Sequence, residues 1–293
     1  MSEQHDHKPE GIPELRTAFL LNFTFTVIEL FGGFWTNSVA ILSDAVHDLG
    51  DSVSLGIAWV LQRISVRGRD ARFSYGYRRF SLLGALISTL ILITGSIVVL
   101  SRALPRLLEP EKAHAPGMFV FAVIGVTVNG LAALKLKHTH SMNARMAALH
   151  LLEDILGWAA VLIVSVTLLF APFYILDSIL SIIITVVILF NVVRNLKRIL
   201  KVFLQASPEQ VRVEAIESKL VEIPKVRSCH DTHAWSLDGE HHVLTTHIVL
   251  DCETSREEII DIKSRIKNLA KSMDFYHITV ETELESLDCT MRE

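Results

Sequence analysis

Cysteine is scarce in this 293-residue chain: Cys229, Cys252 and Cys289 are the only three, all in the C-terminal third. An odd, widely spaced set excludes a disulfide framework and places that part of the chain in a reducing compartment. Charge is scarce as well, with 20% of residues charged and a net charge of -4. There is no basic excess to neutralise phosphates, so nucleic acid is excluded as a partner. Met1–Arg16 is polar, has no apolar core and does not read as a cleaved leader. Apolar residues are what the chain has in excess: they make up 50% of it, and the mean hydropathy is positive. That balance predicts a multi-span membrane protein with a soluble tail, associated with a lipid bilayer.

Six apolar segments approach the ~20 residues that a spanning helix needs. They are Thr17–Phe34, Ser38–Leu61, Ser81–Leu100, Pro116–Leu134, Met146–Phe170 and Phe173–Val193. Arg63, Arg67, Arg69, Arg72, Arg78 and Arg79 follow the second segment; Lys135, Lys137 and Arg145 follow the fourth; Arg194, Lys197, Arg198 and Lys201 follow the sixth. These three regions alternate so as to share one side, which the positive-inside rule makes the cytoplasm, with both termini there. After Ala206 the pattern changes. Pro208–Glu222 reads as an amphipathic helix, Val226–Leu237 and His242–Leu250 as strands around Asp238-Gly239-Glu240, and His277–Glu283 as a third strand. Between the last two, Ser255 with Glu258 three residues on marks a capped helix. The expected architecture is an all-α six-helix transmembrane domain over 17–205, preceded by a cytoplasmic segment 1–16. A cytoplasmic α+β domain of order αββαβ, ferredoxin-like, follows over 206–293.

The second segment is not uniformly apolar. Ser43–Ser52 carries Asp44, His47, Asp48 and Asp51, and an ionised side chain at mid-bilayer costs about 2.5–3.5 kcal/mol on insertion scales. His47 and Asp51 are four apart and stack on one helix face. His150 and Asp154 repeat the spacing at the start of the fifth segment. Two such pairs make a tetrahedral set of two imidazoles and two carboxylates, which suits Zn²⁺ and, nearly as well, Cd²⁺ or Co²⁺. A full protein shell leaves no open position for a reacting water, which weighs against a metallohydrolase. Because ligands must be deprotonated to bind, such a site would take up protons as metal leaves. The plainer explanation, that each pair is a packing hydrogen bond between helices, fits one pair better than two identical ones.

With these motifs the chain resembles the cation diffusion facilitators, a family of zinc-transporting proton antiporters. The matching residues are Ser43-Asp44-Ala45-x-His47-x-x-x-Asp51, Tyr75-Gly76-Tyr77, His150-x-x-x-Asp154 and His230-Asp231-x-His233-x-Trp235. The resemblance implies that His47, Asp51, His150 and Asp154 form the transport site. It implies a zinc substrate, often with cadmium, protons as counter-substrate, no enzyme activity, and a homodimer whose tails meet in the cytoplasm. Some relatives hold a second zinc in the loop after the second span through an Asp and two His. Here Asp70 is present, but Phe73 and Tyr77 replace the imidazoles, so no metal is expected there. His138 and His140 are all that remains of the His-rich loop seen in many eukaryotic relatives, which points to a bacterial inner membrane.

The tail holds histidines at 230, 233, 241, 242, 247 and 277. On a strand, His277, Thr279, Glu281 and Glu283 share a face that His247 can meet. The resemblance makes this a metal-binding region; His233, His247 and His277 are the preferred ligands, with Glu283, His230 and Glu281 after them. His5-Asp6-His7 would bind metal weakly at most. Within the spans, Glu29, Asn129 and Asp44 are candidates for a proton path or for support of the ligands, against the common alternative of interhelical hydrogen bonds. The rival functions are a metal sensor or store and a membrane metalloenzyme. Manganese and iron(II) are further substrates that the ligand set alone does not separate.

Overall fold

The computed structural model describes residues 12–65, 69–136 and 142–284. Among them the chain forms α1 (Ile12–Thr36), α2 (Val39–Ser65), α3 (Phe80–Ala103), the single turn α4 (Pro105–Leu108), α5 (Ala115–Leu136), α6 (Met142–Phe170) and α7 (Ile175–Phe203). The tail follows as α8 (Val213–Val221), β1 (Val226–Ser236), β2 (His242–Leu250), α9 (Arg256–Ser272) and β3 (Phe275–Leu284). His5, His7, His138, His140 and Cys289 lie outside the described residues.

On length and apolarity, 5 helices qualify as membrane spans among the described residues: α1, α3 with α4, α5, α6 and α7. The sequence predicts six. The remaining one, α2, is 27 residues long, but Asp44, Asp48 and Asp51 lie along its first half and lower its hydropathy. Large apolar side chains such as Leu21, Phe31, Ile163 and Phe190 stay exposed on the helices, the surface expected where lipid rather than water is the neighbour.

The chain divides into two compact units. One holds α1, α2 and the residues from Leu83 to Leu196; the other joins Arg69–Leu82 to Lys197 and the tail. In the first, Ala40 and Ile41 of α2 pack with Met118 and Ala122 of α5 and with Trp158 and Val161 of α6. A Cβ added at Gly125 of α5 would collide with the Trp158 ring, so the close approach of α5 to α6 depends on that glycine. The start of α2 is held by another helix. Ser38 caps it, its Oγ accepting from Ile41 N–H at 3.2 Å. Asp177, near the start of α7, accepts from the Ser38 hydroxyl at 2.6 Å and from the Val39 and Ala40 N–H groups at 2.7 and 3.3 Å. Backbone donors that a helix leaves unpaired are thus satisfied inside the bundle. One and two turns further along α7, Ser181 donates to the Val39 carbonyl and Thr185 meets Ser43 at 2.8 Å.

The tail is a three-stranded sheet of order β1-β2-β3, antiparallel between β1 and β2 and parallel between β2 and β3. Ile216 and Leu220 of α8 and Ile262 and Ile266 of α9 cover one face, against Leu244, Ile248 and Leu250. The element order is the αββαβ expected. Ser255 and Glu258 form the full capping box, and Lys225 binds Glu258 at 2.6 Å. That ion pair, with the Ser255 contacts, pulls the Glu258 carboxyl down to about 2. The helix expected from Pro208 begins only at Val213. Val211 N–H closes a turn onto the Pro208 carbonyl, and Arg212 is extended.

Candidate metal centre

On α2 burial sorts the acidic residues into two groups. His47 and Asp51 lie one turn apart with Nε2 3.7 Å from Oδ2, and their side chains are 26% and 30% exposed. Asp44 and Asp48 are buried. The half-open His47–Asp51 edge is therefore the one an ion can reach, and the buried pair lies behind it.

The third group comes from α6. Asp154 of α6 lies within electrostatic reach of Asp48 on α2, as do His47 and Asp51, so the two helices bring an imidazole and carboxylates into one neighbourhood. The helices approach closely here: a Cβ added at Gly157, just beyond Asp154 on α6, would lie 3.6 Å from Asp44 Oδ1. The backbone of α6 carries His150 one turn before Asp154; the His150 side chain lies outside the described residues.

From α1, fully buried Glu29 faces Asp48, with Asp44 and Asp154 within electrostatic reach. Asn22, on the same face of α1 as Glu29, donates to Ser52 Oγ at 3.0 Å and to the Asp48 carbonyl at 3.3 Å. Asn129 is buried on α5 and donates to the Gly125 carbonyl of its own helix at 3.1 Å. Of the three candidates for a proton path, Glu29 and Asp44 therefore border this acidic neighbourhood, and Asn129 bonds within its helix. Asp177, polar and intramembrane by sequence, serves as the cap of α2.

In the tail, strand register decides which histidines meet. His230 pairs with His247, but His233 pairs with Thr245. Three steps on β1 match two on β2, so β1 carries a bulge, with Asp231 at φ 50°, a conformation Asp tolerates better than most residues. The extra residue returns His233 to the face of His230, which strict alternation would have denied it. On that face His230, His247 and Glu283 place ligand atoms within 4.8 Å of one another. His247 Nδ1 is 2.8 Å from Glu283 Oε1, and His230 Nε2 is 3.5 Å from the same oxygen. Glu281 and Asp231 each reach His247 Nε2 at 3.6 Å. Two imidazoles and a carboxylate are a donor set suited to zinc. His233 turns to Asp231 at 2.8 Å. His277 pairs with Val243, four residues from His247, or about 13 Å at strand rise, and its ring meets Tyr75 edge-on. Of the preferred ligands only His247 enters the cluster; His230 and Glu283 join it. No spacing rule in the sequence places Asp231 beside the cluster. An Asp inside a strand pattern, an unfavourable place for it, was the available signal of a bulge.

The loop 66–79 after α2 carries no histidine. Its Asp70 carboxylate accepts from Tyr77 Oη at 2.7 Å and from the Arg72 and Phe73 N–H groups at 2.8 Å. These bonds, Tyr77 first, hold it below the usual carboxylate range.

Membrane-length helices that set an imidazole and carboxylates among them, joined to a separate α+β domain, define an integral-membrane cation transporter. Residues 15–204 match the family described as the cation efflux transmembrane domain, and residues 208–285 match the cation efflux protein, cytoplasmic domain. The chain belongs to the cation efflux family, whose members are transporters and not enzymes. It is 33% identical to the metal cation efflux system protein CzcD of Cupriavidus metallidurans, over 96% of this chain and 89% of that one. The zinc transporter ZitB of Pectobacterium atrosepticum is 31% identical, over 98% and 91% of the two chains. A cadmium, cobalt and zinc/H(+)-K(+) antiporter of Bacillus subtilis is 29% identical, over 96% and 92%. Among solved structures, the metal-bound C-terminal domain of the CzcD transporter from Cupriavidus metallidurans is 32% identical, covering 25% of this chain and 100% of that one, with a TM-score of 0.22.

Proposed function

We propose that this chain exports zinc from the cytoplasm in exchange for protons, as a homodimer, with His47, Asp51, His150 and Asp154 as the transport site. The observation that carries the reading is the half-exposed His47–Asp51 pair of α2 with Asp154 of α6 in its electrostatic neighbourhood. Cadmium and cobalt, named in relatives, suit the same donors. With α2 the spans number six; its carboxylates are tolerated because they face the bundle and an ion rather than lipid. The cationic loops favour an orientation with both termini on the cytoplasmic side, and the short loop with His138 and His140 and the bacterial relatives favour a bacterial inner membrane. The boundaries that go with this reading are 17–205 for transport and 206–293 for a ferredoxin-like regulatory and dimer-forming domain. In that domain His230, His247 and Glu283 hold a zinc ion, with Glu281 and Asp231 beside it.

Proton coupling follows from the ligands. An imidazole and carboxylates that bind a cation must be deprotonated, and the empty site regains protons. Glu29 and Asp44, behind the ligands, are suited to pass them on. The test is zinc flux into proteoliposomes holding the purified protein, with an imposed pH gradient. Zinc should accumulate against its gradient when the delivery side is acid, and Asp51→Ala or Asp154→Ala should abolish it. Binding without flux would favour a sensor or store and sink the transporter reading.

A further inference from the structure

The segment between α2 and α3 does more than connect them. Together with Trp235 and Leu237 of the tail, it lines a cavity of about 320 Å³, at the lower end of the ~300–1,000 Å³ that ligand clefts occupy. Arg72, Arg78 and Arg79 contribute the charge; Phe73, Tyr75 and Trp235 contribute aromatic walls.

The three arginines are not equivalent. Arg78 is committed: its Nη1 donates to His241 Nε2 at 2.6 Å, and its guanidinium lies 4.6 Å from the centre of the Tyr276 ring. His241 Nδ1 in turn meets Asp238 at 2.7 Å. Arg72 and Arg79 pair with no carboxylate among the described residues. The one acid of the segment, Asp70, spends its oxygens on Tyr77 and on backbone N–H groups. Two guanidinium groups therefore border an aromatic-walled cavity and find no counter-ion among the described residues.

Its place along the chain narrows the ligand. Phe80 and Gln205 also line it. Phe80 begins one membrane-length helix, and Gln205 lies just past the end of another, at Phe203. Residues at the ends of spans sit at headgroup depth, where aromatic side chains concentrate and basic pockets meet anionic lipid. We propose that this cavity binds a phosphate-bearing anion through Arg72 and Arg79, and that its position favours the headgroup of an anionic phospholipid. Arg is suited to the task, because its planar fork matches phosphate oxygens in pairs.

The experiment uses the full chain in nanodiscs of phosphatidylcholine, with phosphatidylglycerol titrated in, and reads hydrogen exchange of residues 72–80. Protection should grow with phosphatidylglycerol. The double variant Arg72→Gln/Arg79→Gln should need on the order of 25-fold more lipid for the same protection, about fivefold per arginine. Unchanged exchange in β2 shows that this variant is folded. A charge-matched control, Arg69→Gln/Arg194→Gln, lies outside the cavity and should respond as the wild type does. Inorganic phosphate added to phosphatidylcholine discs separates the sources: protection by phosphate alone keeps the anion site and makes its ligand soluble. The proposal is overturned if neither anion protects the segment, or if the control loses the response as fully as the double variant. Zinc flux is not the readout, so either failure leaves the transport site to its own test.

Discussion

At the scale of single residues, each proposed ligand makes its own prediction. Asp51→Ala and Asp154→Ala each remove a carboxylate from a neighbourhood that α2 and α6 share. Both proteins should insert and retain less than a hundredth of wild-type zinc flux, on the order of the 10²-fold effects seen when a metal site is disturbed. Wild-type flux from either would remove that residue from the site. His47→Asp exchanges a nitrogen donor for oxygen and adds negative charge, which favours harder ions. Flux of manganese relative to zinc should rise; an unchanged ranking would place His47 outside the ligand shell.

At the scale of elements, two helix starts depend on carboxylates. Asp177→Ala would leave the Val39 and Ala40 N–H groups without their acceptor inside the bundle, a loss on the order of 2–3 kcal/mol. The melting temperature in detergent should fall, and exchange should quicken in the first turn of α2. Asp177→Asn keeps an acceptor oxygen and should lose less; equal losses would count against capping. The start of α9 depends on Glu258, whose carboxyl lies at about 2 in the folded protein against an ordinary 4.5. A depressed folded value means that its contribution is complete above about 4.5 and is lost as pH falls towards 2. Wild-type α9 should therefore be better protected than that of Glu258→Gln near neutral pH, and the difference should shrink below pH 4.5. A difference that does not change with pH would mean that the Lys225 pair contributes nothing.

At the scale of the whole molecule, coupling is the property to measure. If the site exchanges protons for zinc, purified protein should release protons on binding zinc, and acid on the delivery side should raise the final zinc ratio across the vesicle membrane. Dissipating the gradient should leave only downhill flux. Equal final ratios with and without a proton gradient, with no proton release on binding, would replace exchange by a channel-like facilitator. Lower pH weakens binding in this scheme because protons and metal compete for the same atoms.

The helices, the tail's element order and the His47–Asp51 pair are legible in the sequence because each is local. Apolar runs long enough to cross a bilayer, strand alternation, the Ser255–Glu258 cap and an i,i+4 spacing all follow from chain geometry over a few residues. The same reasoning overstates one point: apolarity alone does not single out α2, because its three aspartates lower its hydropathy. Contacts between distant residues are decided by packing. By sequence Asp177 is one polar residue near the start of an apolar segment; with α7 set against the start of α2 it becomes a cap. His230 and His233 belong on opposite faces by alternation, and only the bulge at Asp231 puts them on one. His277 shares a face with His247 yet pairs four residues away. The parallel register of β3 on β2 fixes that distance along the sheet, and no local pattern encodes it. Spacing determines which residues of one element can act together; packing alone determines which element each of them meets.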